Sequence, residues 1–315
     1  MFSRLFRKDG AFAPAIFADS RFSLDSLDEC HLVYQRYITD LWRPKPVLYQ
    51  ADPFLFVKDE ILYLFYELQH WDDPGVIAMV KTSDLKTWTE PVVVLKQPYH
   101  LSFPYVFEEH GVVYMVPESQ ESDAIHLFRA DNDELTSFSK VRTLLCQDRT
   151  KGIHYNLNDS HIYKKGGTYY LFTSYQKDWM YYQELYTTDN LLEGTFIKHP
   201  CSPICVGNEY GRNGGSLIDY DGHLLRVTQD CHCDYGDNVS MMEITKLSET
   251  EYKETLYKRN ILPKNTIFHE GGHQFNMTRF KDQYVYATDY KQNRWAWYRL
   301  WIALLTKLKL HQHKG

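Results

Sequence analysis

The chain has 315 residues, of which 43 % are hydrophobic, 16 % aromatic and 24 % charged, and its formal net charge is −6. This acidic balance argues against a nucleic-acid partner, and the sequence has neither zinc-finger spacing nor an RNA-binding signature. Six cysteines in so long a chain do not form a disulfide framework, so we expect free thiols.

Five segments of the chain repeat one pattern, in which a short apolar strand, a polar turn and a second apolar strand follow one another. They begin near residues 52, 103, 159, 213 and 272. Two more strand-like stretches follow each of the first four segments. A repeat of about 50 to 60 residues with four strands is typical of a propeller blade. We therefore predict an all-β fold, a five-bladed β-propeller, over residues 1–290.

The two ends of the chain complete this prediction. The fifth repeat has too little chain after Asp289 for four strands, so we expect the stretch from Phe22 to Tyr34 to supply the missing strand and close the ring. Residues 291–315 form a tail of different character, which is aromatic, aliphatic and basic from Trp295 to Leu310. Its pattern predicts a C-terminal amphipathic helix that either lies in a membrane interface or packs on the propeller.

The location of the protein follows from its ends and its hydropathy. The N-terminus lacks the apolar run of a secretory signal, and no stretch reaches the ~18 apolar residues of a transmembrane helix. We expect a cytoplasmic protein, held as a peripheral protein on the inner face of the plasma membrane by its tail.

The repeat also predicts where polar side chains converge. The residue that starts the innermost strand of a blade and the residue that ends the next strand lie at the same edge, because the two strands form a hairpin. Carboxylates predominate at these positions. The strand starts supply Asp52, Ser102 or Phe103, Asp159, Arg212 or Asn213, and His273, and the strand ends supply Glu67, Glu118, Ser174, Asp230 and Asp289.

Paired carboxylates cleave or form glycosidic bonds, because one activates the nucleophile while the other protonates the leaving oxygen. For any single residue the alternative is an acid that caps a turn or pairs with an arginine. Two further pairs, Asp219 with Asp221 and Asp131 with Asp133, have the spacing of a metal-binding motif in sugar-nucleotide transferases. Both fall between strands, so we interpret them as turns.

At these positions the chain resembles the five-bladed propeller of family 43 glycoside hydrolases and their fructan-cleaving relatives, through Ala51-Asp52-Pro53-Phe54, Asp159 and Gly272-His273. It resembles more closely the N-terminal propeller domain of plant glucosamine inositolphosphorylceramide transferases and similar domains of bacterial surface-polysaccharide proteins. That likeness extends over about residues 45 to 290. The stretches that carry it are 51–56, 63–67, 101–107, 116–119 and 226–231.

The resemblance implies roles for individual residues. Asp52 matches the general base, Asp159 the acid that tunes a neighbouring pKa, and His273 an axial histidine that in many relatives sits beside a cation or a water molecule. The general acid of family 43 would be a glutamate at the start of the fourth inner strand, where this chain has Arg212. An arginine there suits a phosphate or carboxylate, because its planar fork pairs with such anions.

The missing acid leaves Glu118 or Glu209 as the candidate for that role. We take Asp52, Asp159 and Glu118 as catalytic. We expect no metal and no cofactor, with room near His273 only for a cation or a water molecule. The residues expected to bind substrate are Glu67, Arg212, Asn213, Asp230, Glu270 and His273.

Three functions remain open on the sequence. The first is a sugar transferase or processing enzyme of surface-glycan assembly that acts on a lipid-linked or nucleotide-linked substrate at the membrane. The second is a glycosidase with a displaced acid, and the third is a glycan-binding module without catalysis. The absent glutamate and the basic tail favour the first.

Overall fold

The computed structural model describes residues 8–36, 47–70, 73–148, 150, 156–264 and 266–295. Their strands form five antiparallel sheets of four or five strands each, and each sheet is one blade of a propeller. The predicted five-bladed β-propeller is confirmed. From residue 296 onward, the predicted helix of the tail lies outside the described residues.

Each blade is built from strands that follow one another in the chain, except for the blade that closes the ring. The closing blade and the first blade contain β1 (Lys8–Asp19), β2 (His31–Gln35), β3 (Val47–Lys58), β4 (Ile61–His70), β5 (Val76–Thr82) and β6 (Val92–Leu95). The second and third blades contain β7 (Ser102–Glu109), β8 (Val112–Glu118), β9 (Ala124–Ala130), β10 (Phe138–Cys146), β11 (Asn158–Lys165), β12 (Thr168–Lys177), β13 (Met180–Thr188), β14 (Ile197–Lys198) and β15 (Cys205–Val206). The remaining strands are β16 (Arg212–Asn213), β17 (Ile218–Tyr220), β18 (His223–Asp230), β19 (Asn238–Leu247), β20 (Tyr252–Lys258), β21 (Phe275–Phe280) and β22 (Gln283–Trp295).

The helical content of the described residues is two short 3₁₀ turns, Leu27–Glu29 and Gln120–Ser122. Among these residues no helix has the length and apolar character that a membrane span requires. All six cysteines carry free thiols, as their number predicted.

The ring is closed by two N-terminal strands rather than one. β1 pairs with β22 along its whole length, and β2 pairs with β1 on the outside. Only β2 lies within the stretch that we predicted, while β1 precedes it. The sequence of β1 conceals the strand, because residues 11–17 are buried on both faces and therefore lack the alternation of a half-buried strand.

The last strand of the propeller runs to Trp295, five residues beyond the predicted boundary at residue 290. Lys8 pairs with Trp295 and Pro14 with Asp289, so the added residues extend β22 beside the first half of β1. Residues 291–295 therefore belong to the propeller, and the tail begins after them.

Blades pack face to face through apolar side chains. Between the first and second blades, Phe65, Ile77, Met115 and Phe128 are at most 2 % exposed and form one cluster. Burial of a side chain of this size stabilises the fold by roughly 1.5–3 kcal/mol. The interfaces between blades thus fix the positions of the inner strands around the axis.

A bulge at the start of three inner strands shapes the site. Asp52, Phe103 and Asp159 have φ values of 51°, 44° and 50°, and the strand register shifts at each of them. A bulge bends its strand and re-aims the side chain that it carries. Aspartate tolerates this left-handed conformation better than most residues, which suits Asp52 and Asp159 to positions beside the axis.

Candidate active site

A cavity of about 390 Å³ opens at the edge of the propeller where the inner strands begin. Five of the predicted site residues line it, namely Asp52, Glu67, Glu118, Arg212 and His273. The hairpin rule applied to the sequence brought these residues together from four different blades. We call this edge of the propeller the mouth.

Polar side chains at the mouth also hold neighbouring blades together. Asp289 of the closing blade accepts a hydrogen bond from the backbone N–H of Asp52 at 3.2 Å, and Glu118 accepts one from Asp159 at 3.1 Å. Ser174 accepts a third from Asn213 at 3.1 Å. The recurrence of polar residues at strand ends therefore has a structural cause as well as a chemical one, since each satisfies a buried N–H of the next blade.

His273 lies between two buried carboxylates. Its Nε2 is 3.2 Å from Oδ1 of Asp52, and its Nδ1 is 2.7 Å from Oδ2 of Asp289. Burial alone would lower the pKa of His273, but the charges of Asp289 and Asp52 outweigh it and raise that pKa to about 9. The imidazole is therefore charged at neutral pH.

The same three residues have ligand atoms within 4.8 Å of one another, a spacing that a metal ion could share. The two carboxylates face different nitrogens of the His273 ring, so one ion could not replace both contacts. A charged imidazole can balance the carboxylates in this cluster.

Asp52 is the predicted general base. Its Oδ2 accepts a hydrogen bond from the N–H of Phe103 at 3.1 Å, and the residue is 4 % exposed. Burial raises its pKa to about 7 against the lowering effect of the His273 charge, with Glu67 adding to the rise. A carboxylate that titrates near neutrality can accept a proton from a hydroxyl or a water molecule at working pH.

Glu118 supplies the second carboxyl of the cavity. Burial and the nearby charge of Asp159 raise the pKa of Glu118 well above its ordinary value, which favours the protonated form of this carboxyl. Its Oε2 is engaged with the N–H of Asp159, and the side chain borders the cavity. A raised pKa is the direction of shift that a general acid requires, and Glu118 has it.

Arg212 lies in β16, at the start of the inner strand of the fourth blade. Its Nε forms an ion pair with Oδ2 of Asp159, and its Nη1 donates a hydrogen bond to the hydroxyl of Tyr181 at 3.1 Å. The guanidinium carbon lies 5.3 Å from the ring centre of Tyr181 and 5.0 Å from that of Tyr235. Arg212 lines the cavity, whereas Asp159 lies behind it and is 1 % exposed.

Asp159 is therefore a positioning residue for Arg212 in this structure, rather than a wall of the cavity as predicted. Its buried carboxylate also accepts a longer hydrogen bond from Gln229 at 3.4 Å. Asn213 lies beside it, fully buried, and its side chain donates to the Asp159 carbonyl at 2.6 Å.

Glu67 contacts His100. The sequence interpretation missed His100, which also lines the cavity. Nε2 of His100 is 3.3 Å from Oε1 of Glu67, while its Nδ1 accepts the N–H of Gly75 at 3.0 Å. His100 comes two residues before the strand start at Ser102, so an extension of the hairpin rule by two residues would have found it.

The other missed residues form the rim of the cavity. Phe12 and Tyr235 flank His273, with ring centres 4.2 Å and 5.3 Å from that of the imidazole. Lys291 is 2 % exposed, and its Nζ donates to Asp234 and to the carbonyl of Tyr235, both at 2.6 Å. No repeat signal marks them, because Phe12 and Lys291 belong to the strand extensions of the closing blade.

Three more predicted residues, besides Asp159 and Asn213, lie away from the cavity wall. Asp230 accepts the N–H of His232 at 2.9 Å, and Glu270 accepts that of Asn293 at 2.8 Å, so both stabilise loops at the mouth. Glu209, the alternative acid, forms a surface ion pair with Arg259 at 2.8 Å. Of the two candidate acids, only Glu118 borders the cavity.

The two aspartate pairs that we interpreted as turns lie at or beside turns between strands. Asp221 has a φ of 50° in the turn between β17 and β18, and Asp131 lies between the outer strands β9 and β10. Both are remote from the mouth, since these hairpins turn at the opposite edge.

These features define a five-bladed propeller with a polar, carboxylate-rich site at its axis. Solved structures share this fold. A family 117 glycoside hydrolase of Zobellia galactanivorans has a TM-score of 0.55 at 12 % identity, over 77 % of this chain and 84 % of its own. A family 32 β-fructofuranosidase of Bombyx mori has a TM-score of 0.56 at 15 % identity, over 75 % and 54 %.

Sequence comparison defines the family. Residues 41–285 match the family described as glucosamine inositolphosphorylceramide transferase 1, N-terminal, and the chain belongs to it. The transferase of that name from Arabidopsis thaliana is 36 % identical over 217 residues, and that from Oryza sativa subsp. japonica is 32 % identical over 220. Each match covers 66 % of this chain but only 27 % and 28 % of the length of the relative.

Proposed function

We propose that the chain is a carbohydrate-active enzyme that transfers or processes a glycosyl group in cell-surface polysaccharide biosynthesis, at the cytoplasmic face of the membrane. The observation that carries this proposal is the cavity itself, which joins a carboxyl with a pKa near neutrality, a second carboxyl whose pKa is raised by burial, and a guanidinium. The names of the matched relatives, which are sugar transferases acting on a lipid, support the same class of reaction.

In transfer, Asp52 takes the proton of an acceptor hydroxyl, whose oxygen then bonds to the anomeric carbon of the sugar. The bond between that carbon and the leaving group breaks in the same step, and a leaving phosphate keeps the electron pair. Arg212 stabilises the developing negative charge, because it lines the cavity and carries a permanent positive charge there. Asp159 holds the guanidinium in place.

Hydrolysis is the second candidate, and the raised pKa of Glu118 favours it. Asp52 would activate a water molecule in this reaction, and Glu118 would protonate the leaving oxygen of the glycosidic bond. The two reactions share Asp52 and differ in the acceptor and the leaving group. Transfer is indicated if the protein uses a nucleotide-linked or lipid-linked sugar and does not require Glu118. Hydrolysis is indicated if it cleaves an uncharged glycoside and requires Glu118.

Replacement of Asp52 tests the shared step. Asp52→Asn keeps an oxygen that can accept the Phe103 N–H but removes the base, so activity should fall by at least about a hundredfold. Stability should not fall, since burial already disfavours the charged form. Asp219→Asn, the same change at an exposed position of β17 remote from the cavity, is the matched control and should keep full activity.

Retention of activity by Asp52→Asn would refute the catalytic proposal. Glycan binding that persists in the variant, with no turnover in the wild type on any donor, would instead identify a binding module.

A further inference from the structure

The hairpin between β12 and β13 ends in the most exposed large apolar side chain of the described residues. Trp179 is 85 % exposed, and the neighbouring Met180 is 40 % exposed. Val206, on the adjoining strand β15, is 47 % exposed and completes an apolar ridge along the outer edge of the third blade. Among the described residues, Trp179 has no hydrogen bond or ring partner.

The backbone of this turn is unfavourable for the residue that it carries. Lys177 pairs with Met180, so Asp178 and Trp179 form a two-residue loop, with φ values of 51° and 65°. Such loops favour glycine at the second position, because a side chain there meets the backbone. A tryptophan in this conformation is uncommon and contributes no packing in return. Its presence therefore points to a role outside the stability of the fold.

The hairpin points in the same direction as the mouth. Ser174, three residues before the end of β12, bonds to Asn213 at the level of the cavity. The strand continues to Lys177, which places the tip about 10 Å beyond that level. At the base of the extension, Tyr181 contacts Arg212 of the cavity wall. The ridge of Trp179, Met180 and Val206 thus stands beside the entrance to the site.

A second strand, β22, reaches the mouth and ends there. β22 passes Asp289 at the level of the cavity and ends at Trp295, beyond the cavity residues Lys291 and Asn293. The 20 residues that follow, 296–315, start from this edge, and their sequence is rich in tryptophan, leucine and lysine. The end of β22 therefore lies at the same edge of the propeller as the ridge.

We propose that the ridge of Trp179, Met180 and Val206 docks on a lipid surface and turns the mouth of the cavity toward it. Tryptophan favours the interface between lipid and water, because its ring is apolar and its N–H is polar. Lys177 and Asp178 are both exposed at the same tip, so their charges offset each other and the apolar ridge itself supplies the attraction to lipid. The functional consequence of this docking rests on the proposed function, since a mouth that faces the membrane would receive a lipid-linked sugar.

Vesicle binding tests this proposal without any sugar substrate, so its outcome is independent of the catalytic proposal. The full chain is mixed with phosphatidylcholine vesicles, with and without phosphatidylserine, and the bound fraction is measured by flotation. Trp179→Gly should bind about tenfold more weakly than the wild type, since an apolar side chain of this size leaves the lipid. The same variant should unfold at a higher denaturant concentration, because glycine fits the turn.

Two matched variants separate the ridge from other surfaces. Ile197→Ala removes an apolar side chain that is 67 % exposed near the opposite edge, and it should bind as the wild type does. Trp179→Phe keeps an apolar tip but removes the indole. Brominated acyl chains should therefore quench more fluorescence in the wild type than in Trp179→Phe.

Three results would overturn the proposal. The first is an absence of vesicle binding by the wild type. The second is equal binding by Trp179→Gly together with equal quenching of the wild type and Trp179→Phe, which would assign binding to the tail alone. The third is self-association in sedimentation without vesicles that Trp179→Gly abolishes, because a second copy would then occupy the ridge.

Discussion

The ion pair between Arg212 and Asp159 gives the sharpest quantitative prediction. Both side chains are largely buried, with 12 % and 2 % of their surfaces exposed. Removal of the charge from one partner leaves the other buried without its counterion, which costs about 3–5 kcal/mol. Asp159 keeps the long hydrogen bond from Gln229, so we expect about 3 kcal/mol of lost unfolding free energy for Arg212→Gln.

The variant Arg212→Gln/Asp159→Asn removes both charges and should recover much of this loss. Urea denaturation of the wild type, both single variants and the double variant measures their coupling, which we expect to exceed about 1 kcal/mol. Additive effects of the two substitutions would refute the assignment of Asp159 as the partner that positions Arg212. The buried ion pair of Arg226 and Glu254 is the matched control. Its disruption should lower stability in the same way, but it should leave the affinity of the cavity for a ligand unchanged.

Two further predictions concern Asp52 and the tail. Because the folded pKa of Asp52 is raised from 3.8 to about 7, the native state binds a proton more tightly in that window, and stability falls as pH rises through it. The Asp52→Asn variant should gain stability relative to the wild type by at most about 4 kcal/mol between pH 4 and pH 8 in urea titrations; an unchanged difference would refute the raised pKa. Activity should increase with pH near 7 as the base ionises. We also predict that the tail binds acidic membranes, so the full chain should float with vesicles more than a chain that ends after Trp295; equal flotation would contradict it. The cut must follow Trp295, because residues 290–295 complete β22 and border the cavity.

The sequence was sufficient to predict the propeller, because each hairpin carries its own pattern of apolar strands and polar turn. It also placed five residues in one cavity, since strand starts and strand ends meet at one edge. The repeat could not show that Asp159 lies behind Arg212, because both occupy strand starts and only their side-chain contact orders them.

The parts that escaped prediction lie where the repeat is interrupted. β1 is buried on both faces and therefore has no alternation, so its contribution of Phe12 to the cavity was hidden. Tyr235 comes from the loop after Asp230, whose approach to Arg212 depends on the contacts of Lys291 with that loop. Such contacts between distant segments leave no periodic signal in the sequence.

A crystal structure of Asp52→Asn with a bound phosphorylated glycan fragment tests the central claim most directly. The account predicts the phosphate within hydrogen-bonding distance of Arg212 and the sugar between residue 52 and Glu118, inside the cavity of about 390 Å³. A fragment bound only at another surface, with the cavity unchanged, would contradict the claim that this site acts on a sugar.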